Sequence, residues 1–502
     1  MKYLYGASVQ GIQDFIFKTK RLKDIVGASE IVEEISTNFT NEFEKNCEVI
    51  QKAAGNIKLL FNDEKNVKNI VLNFPKKVMQ KAYGITISQA VVKIENELSK
   101  DDLDVLEERL KEARNKPNIP LDSSINIIKI SPTTGKSAYK VIIDKVIIDK
   151  DDKNKEEFLD YATHTKRENK ANRLVSKITD NKDIEFPKEL SHISNAKNKI
   201  AIIHADGNGL GKLLQNLGKK LNQKDIKNVF SSFSSALDTA TKNSAKNAFA
   251  NIVKDKEPKF RPLILGGDDL SVICSADIAL RFTGEFLKEF EKQSKNELKS
   301  LVEKYNLKEF ENGLTACAGV AFCNEKYPFH YAITLAEDLC KEAKKEAKKI
   351  NDTLAPSCLM FHNVQSSFYA SYNNFVKNEL EFNNISFKFG PYYVDKKFGA
   401  SIEDFINIIN CFNADGSPKS RLRKWISELY YDKNYADSLL KRINQVMDSK
   451  AKDATNNALK ELHKDLNLSK LFVKKEDKKD YTPIYDIIEI ASIAGDKQCK
   501  YI

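Results

Sequence analysis

Pro262-Leu263-Ile264-Leu265-Gly266-Gly267-Asp268-Asp269-Leu270-Ser271-Val272-Ile273-Cys274 consists of two apolar β-runs hinged on Gly and Asp. Both residue types tolerate positive φ, so the stretch predicts a hairpin with Gly266-Gly267-Asp268-Asp269 as its turn. Upstream, Lys199 to His204 (KIAIIH) has the continuous apolar character of a buried strand and ends at Ala205-Asp206-Gly207-Asn208-Gly209-Leu210-Gly211-Lys212. A long helix follows, with Val229, Phe230, Phe233, Ala236, Leu237 and Ala240 at helical spacing. Downstream, Ile278, Phe282, Phe286 and Phe290 share one side of a helix. A strand from Leu314 to Phe322, a helix from Tyr331 to Ile350 and a strand from Cys358 to Phe361 complete the unit. The order is βαββαβ, the split unit of ferredoxin-like folds.

The first 95 or so residues repeat that order. Strands are predicted from Lys2 to Val9, near Val49, from Ile57 to Phe61 and from Ile85 to Ile94. Helices are predicted from Ala28 to Phe43 and through Val67, Ile70, Val71 and Phe74. Residues from about 100 to 195 are rich in Lys, Asn and Asp and read as a connector with helical patches at Leu103 to Ala113 and Glu156 to Ile178. A strand is expected from Ile385 to Val394, and helices over 402–412, 420–430, 435–446, 451–466 and 484–493. The expected class is α+β: two tandem ferredoxin-like βαββαβ domains (1–150 and 196–395), a polar helical connector (151–195) and a C-terminal α-helical bundle (396–502).

Composition narrows the function. The 502 residues are 41% hydrophobic, enough to fill about three cores, which excludes a disordered chain. No apolar run approaches the ~18 residues of a membrane span, and MKYLYGASVQGIQDFIF lacks the parts of a secretory signal, so a cytoplasmic protein without a membrane partner is expected. A net charge of +10 gives mild attraction to polyanions. The eight cysteines form no C-x2-C pair and read as reduced, and none of the six histidines is followed by Asp, so a His-Asp metallonuclease site has no obvious ligands.

The chemistry gathers on Asp206, Asp268 and Asp269. In a split βαββαβ unit the first strand and the hairpin strands are neighbours, so these side chains can converge. Two carboxylates ~4 Å apart repel by about 4 kcal/mol at an effective dielectric near 20, a cost best offset by a divalent cation. Oxygen ligands of this kind favour Mg²⁺ or Mn²⁺ with substrate phosphates completing the shell, which points to phosphoryl or nucleotidyl transfer. Strand alternation favours Asp206 and Asp269 as ligands, with Asp268 a second ligand or an outer partner. Gly266 and Gly267 serve either this site or a plain hairpin turn. Gly207, Asn208, Gly209, Gly211 and Lys212 form a strand-to-helix step whose glycines either let backbone N–H groups approach phosphates or simply permit the turn. On the helix after Tyr331, Lys344 lies at the edge of the buried stripe, where its amine either reaches phosphate over the sheet end or stays in solvent.

These residues resemble a family. LILGGDDLSVIC and HADGNGLGKLL are similar to the metal-bearing hairpin and phosphate loop of the palm domains in the large signature subunit of type III CRISPR effector complexes, relatives of the GGDEF-type nucleotide cyclases. AITLAEDLCKEAKKEAKK resembles the helix whose lysine meets triphosphate, which implies that role for Lys344. GASVQGIQDFIFKTKRLKDIVGASEIVEEIS resembles the opening of the family's first palm.

The resemblance implies paired palms that bind two ATP molecules across their interface and join them into cyclic oligoadenylates or related messengers, which switch on an antiviral effector. RNA and RNA-guided complex subunits are the implied partners, alongside ATP or another NTP. It also implies nucleotide contacts for Ser29 and for Gln13 or Asp14. The turn Ala53-Ala54-Gly55-Asn56 lacks carboxylates, so the first palm is expected to be catalytically degenerate, and Asn208 stands where relatives commonly carry an acidic residue. The family's His-Asp nuclease and cysteine zinc motifs are not seen. The competing expectation is a nucleotide-binding scaffold of an RNA-guided complex without significant turnover.

Overall fold

The computed structural model describes residues 1–19, 21–53, 55–95, 97–116, 127–148, 151–211, 214, 221, 223–365, 372–474 and 477–493. It divides into two units, residues 1–177 with 214–238, and residues 178–213 with 239–502.

In the first unit, β1 (Lys2–Gln10), β2 (Cys47–Ala53), β3 (Asn56–Phe61) and β4 (Thr86–Ile94) form an antiparallel sheet in the order β2-β3-β1-β4. Helices α1 (Ile12–Phe17) and α2 (Leu22–Ser36) follow β1. Helix α3 (Glu64–Lys81) buries Val67, Ile70, Phe74 and Val78, a single stripe at helical spacing, and starts at Asp63, whose side chain accepts from the Asn66 N–H at 2.8 Å. Helix α4 (Lys100–Asn115) opens on a Ser99/Asp102 capping box and packs Leu103, Leu106 and Leu110 against Leu4, Leu60 and Val92.

The expected polar connector contains an antiparallel hairpin, β5 (Lys140–Ile148) with β6 (Asp151–Leu159), before α5 (Tyr161–Glu168) and α6 (Arg173–Ile178). Residues 156–159 are therefore strand rather than helix. Their partner strand contains the β-branched runs Val141-Ile142-Ile143 and Val146-Ile147-Ile148, which favour a pleated surface however polar the opposite strand is.

The second unit carries a six-stranded sheet in the order β14-β11-β10-β7-β9-β8. Its core is β7 (Lys199–Gly207), β8 (Phe260–Gly266), β9 (Asp269–Ser275) and β10 (Ala316–Asn324), with β11 (Cys358–Asn363) parallel to β10. Helix α7 (Gln223–Ile252) groups with the first unit up to Asp238 and with the second from Thr239. Helix α8 (Ala279–Tyr305) and the end of α7 pack on one face of the sheet through Phe249, Phe260 and Phe282, with ring centroids 5.2 and 4.8 Å apart along the series.

Helix α9 (Phe329–Lys348) covers the opposite face. Gly319 of β10 permits this, because a Cβ there would lie 1.9 Å from the Ala336 carbonyl oxygen and 2.5 Å from the Cys340 nitrogen. Gly319 is in register with His204, so the α9 face of β7 carries Ile202, His204 and Asp206.

Beyond the sheet, the expected strand over 385–394 is divided between β13 (Ile385–Ser386) and β14 (Tyr392–Tyr393). Five helices follow as expected: α10 (Ile402–Asn413), α11 (Lys419–Leu429), α12 (Lys433–Val446), α13 (Ser449–Leu462) and α14 (Ile484–Ile493). Between them lies a small sheet of two-residue strands in the order β12-β13-β16-β15, from β12 (Glu381–Phe382), β15 (Val473–Lys474) and β16 (Asp480–Tyr481). These pairs are too short for a period to show in sequence.

Replacing Gly319 by Ala tests the seating of α9. The added methyl meets backbone rather than a flexible side chain, so unfolding should be eased by at least about 2 kcal/mol, read as a lowered denaturation midpoint. An unchanged midpoint would mean that α9 does not rest on β10 at this distance.

Candidate active site

The antiparallel register of β7 and β9 puts Ala205 opposite Leu270 and His204 opposite Ser271, which leaves Asp206 and Asp269 as the next facing pair, on the α9 side. Asp268 belongs to the turn and by alternation would point away. Two glycines bring it back. Gly267 adopts φ +64°, and the Thr241 hydroxyl donates to its carbonyl at 2.6 Å. Gly207 leaves the space into which Asp268 folds, since a Cβ at 207 would lie 2.9 Å from the Asp268 Cβ and 3.1 Å from its Oδ2. One carboxylate oxygen from each of Asp206, Asp268 and Asp269 consequently lies within 4.8 Å of the other two.

This convergence has an electrostatic cost. Burial, and then the Asp206 charge, push the Asp268 carboxyl up to about 7. Burial, followed by Asp268 and Asp206, holds Asp269 well above the carboxylate range. The counter-charge is Lys344 of α9, whose ammonium donates to Asp206 Oδ2 and, at 2.8 Å, to the Gly207 carbonyl. Burial pulls the Lys344 amine down, but Asp206 more than offsets this and the amine stays charged.

The loop after β7 is held by Asn208. Its backbone N–H donates to the Thr315 carbonyl at 2.8 Å, and its side-chain amide donates to Thr315 Oγ1 at 3.1 Å and to the Ala355 carbonyl at 3.0 Å. The side chain is 1% exposed and its Oδ1 has no hydrogen-bond partner. Asn208 thus clamps the loop to the segments entering β10 and β11. Gly209, at φ +67°, presses on the Thr353 carbonyl, where a Cβ would lie 2.5 Å away. Gly211 faces open space, and Gly266 is in register with Asp269. Lys212 lies outside the described residues.

Ser29 belongs to the other unit. It is 3% exposed, and its hydroxyl donates to the Ile25 carbonyl of its own helix at 3.0 Å, a bond that leaves it serving α2. Gln13 and Asp14 are exposed, and Asp14 pairs with Lys18 at 2.7 Å.

Two further polar residues sit on the α9 side of the sheet. His204 Nδ1 lies 3.0 Å from Ser271 Oγ, and burial, against the opposing pull of Asp206, lowers the imidazole to about 4, so the ring is neutral. Glu337 lies two turns before Lys344 on the same flank of α9, half-buried, with its carboxyl pushed up to about 7 by burial. The seven-residue spacing from Lys344 was the available sequence signal for Glu337.

Residues 199–354 match the family Cas10/Cmr2, second palm domain. Over that stretch the chain is similar to a Cas10/Cmr2 second palm domain. All three aspartates, the Asn208 loop and Lys344 fall inside it. The sequence matches no curated protein.

Among solved structures, the chain is similar to a Csm1–Csm4 cassette in complex with cA4 (TM-score 0.57, 13% identity, 98% of this chain and 69% of that chain covered). A second similar structure is the cassette in complex with pppApA (TM-score 0.54, 12% identity, with the same coverage of 98% and 69%). A third match, the cassette with AMPPNP, has a TM-score of 0.44 at 12% identity and covers 69% of this chain. There the chain spans only 53% of the length of its counterpart. The first two likenesses support the tandem palm architecture. Among the described residues, no helix is long and apolar enough to cross a membrane.

The raised carboxyls make stability pH-dependent. A carboxyl whose folded pKa lies above its unfolded value binds its proton more tightly when folded, so its stabilising contribution is present at low pH and lost as pH rises through the folded pKa. For Asp268 that window runs from about 4 to about 7. Metal-free protein should therefore lose melting temperature between about pH 4 and 7, and Asp268→Asn should flatten that decline. Added Mn²⁺ should restore the wild-type midpoint at pH 8. Parallel wild-type and Asp268→Asn profiles would show that the cluster is not strained.

Proposed function

We propose that the protein is a metal-dependent nucleotidyltransferase that joins ATP into a cyclic oligonucleotide messenger within CRISPR type III-like antiviral defence. The observation that carries this reading is the convergence of Asp206, Asp268 and Asp269. One carboxylate oxygen of each lies within 4.8 Å of the other two, and two of the carboxyls have abnormally high proton affinity. Hard oxygen donors in this arrangement suit Mg²⁺ or Mn²⁺. When bound by these aspartates, the cation supplies neutralisation of triphosphate charge and a lowered pKa for the attacking ribose hydroxyl.

The chain's own groups do the rest. Lys344 holds Asp206 in place and directs a fixed positive charge over the sheet end, where a triphosphate would lie. The Asn208 clamp fixes the course of Gly207, Gly209 and Gly211, so that loop offers phosphate oxygens a preset surface. The neutral His204 keeps the buried floor beside Asp206 free of a second cation. Support for adenine nucleotides and cyclic products comes from the similar Csm1–Csm4 cassettes in complex with pppApA, with cA3 and with cA4. On this reading a Csm4-like subunit and RNA are partners, and a cyclic-nucleotide-sensing effector acts downstream.

Purified protein incubated with each NTP and Mn²⁺, alone and with crude RNA, should yield a cyclic product by mass analysis. The double variant Asp268→Ala/Asp269→Ala should lose at least about a hundredfold in rate. Lys344→Ala should raise KM for ATP more than it lowers kcat. Undiminished turnover in the double variant would refute the site, and no product under any condition would favour a binding scaffold.

A further inference from the structure

Beneath the phosphate loop, β10 and β11 begin side by side, and their first register pair is Cys317 with Cys358. The two sulfurs are 3.5 Å apart and both residues are 0% exposed. A third thiol, Cys340 of α9, is committed to the Cys317 carbonyl at 3.1 Å, which leaves Cys317 and Cys358 as the facing pair. Neighbouring strands run about 4.8 Å apart, within the Cα separation that a disulfide spans, so the two sulfurs can bond without the strands separating.

The position of the pair gives it leverage. Cys317 is the cross-strand partner of Asp206 on β7. The Asn208 clamp is anchored two residues before Cys317, at Thr315, and three residues before Cys358, at Ala355. Thr315 Oγ1 also donates to the Ala355 carbonyl at 2.6 Å, so the two strand entrances are already tied together at the clamp. Displacement of one strand entrance against the other is passed to the loop through these hydrogen bonds, and Gly209 packs close to the Thr353 carbonyl on the same segment.

We propose that Cys317 and Cys358 form a redox pair whose oxidation to a disulfide by a peroxide loosens the Asn208 loop. One thiol attacks a peroxide oxygen, the O–O bond breaks, and a sulfenic acid forms as water or an alcohol leaves. The second thiol then attacks that sulfur, the S–O bond breaks with loss of water, and the S–S bond forms. The peroxide is reduced and the two thiols are oxidised by two electrons in total. Drawing the sulfurs from 3.5 Å to about 2.05 Å shifts the two strand entrances against one another and so moves Thr315 and Ala355, the anchors of the clamp, out of register with Asn208. The consequence for nucleotide binding rests on the function proposed above, whereas disulfide formation and loop loosening do not.

The full chain is treated with hydrogen peroxide, digested without reduction and read by mass spectrometry. Hydrogen–deuterium exchange over residues 207–211 and the affinity for a fluorescent ATP analogue are measured in parallel. The expected result is a Cys317–Cys358 cross-linked peptide, faster exchange in the loop and several-fold weaker nucleotide binding, all reversed by dithiothreitol and absent in Cys358→Ala. Cys317→Ala serves as a second variant should Cys358→Ala fail to fold.

The absence of a cross-link at peroxide doses that oxidise the half-buried Cys47 and Cys411 would overturn the proposal. A cross-link with unchanged loop exchange would overturn it equally. A cross-link with faster exchange in a protein that binds no nucleotide even when reduced would uphold the pair and count against the proposed function instead.

Discussion

Mutual repulsion among Asp206, Asp268 and Asp269 is the constraint around which the second unit is built. Like charges gathered in partial burial separate unless the backbone prevents it, and here three devices do so. The β7–β9 register fixes two of the carboxylates on one face, Gly267 turns the third toward them, and Gly207 leaves room for it. Lys344 supplies the counter-charge, but only because Gly319 lets α9 lie flat on β10. A chain without a use for a cation at this point would gain stability by losing any of these carboxylates.

The loop over residues 207–211 obeys the same logic at one remove. Its geometry is set less by its glycines than by a buried asparagine that ties it to the entrances of two strands. Asn208 therefore acts as a fastener, and its side chain points toward Thr315 and Ala355 in the core. The neutral His204 and the half-buried Glu337 extend a polar layer along the α9 side of the sheet, next to the aspartates. The electrostatics of the site thus belong to a wider patch than its three ligand candidates.

Much of this was legible in the sequence because the determinants are local or periodic. Val67, Ile70 and Phe74 announce a helix, KIAIIH announces a buried strand, and GGDD announces a turn whose carboxylates must be explained. Asp206 and Asp269 could be paired because strand order alone makes them neighbours. Lys344 emerged from its place at the edge of an apolar helical stripe.

What escaped depends on register and on contacts between distant segments. His204 has meaning only once Ser271 is known to lie opposite it, and Glu337 only once the flank of α9 that faces the sheet is known. The partners of Asn208 lie 107 and 147 residues away, so nothing near it in sequence could reveal a clamp. The β5–β6 hairpin was masked by its charged second strand, whose composition suits a helix as well as a strand.

The most direct test of the central claim is a calorimetric Mn²⁺ titration at pH 7 in two buffers of different ionisation heat. If the three carboxylates converge as described, binding must expel the protons that Asp268 and Asp269 hold, and the buffer dependence should report release of roughly one to two protons per ion. Saturable binding with no proton release, or binding that survives replacement of all three aspartates by asparagine, would contradict the account.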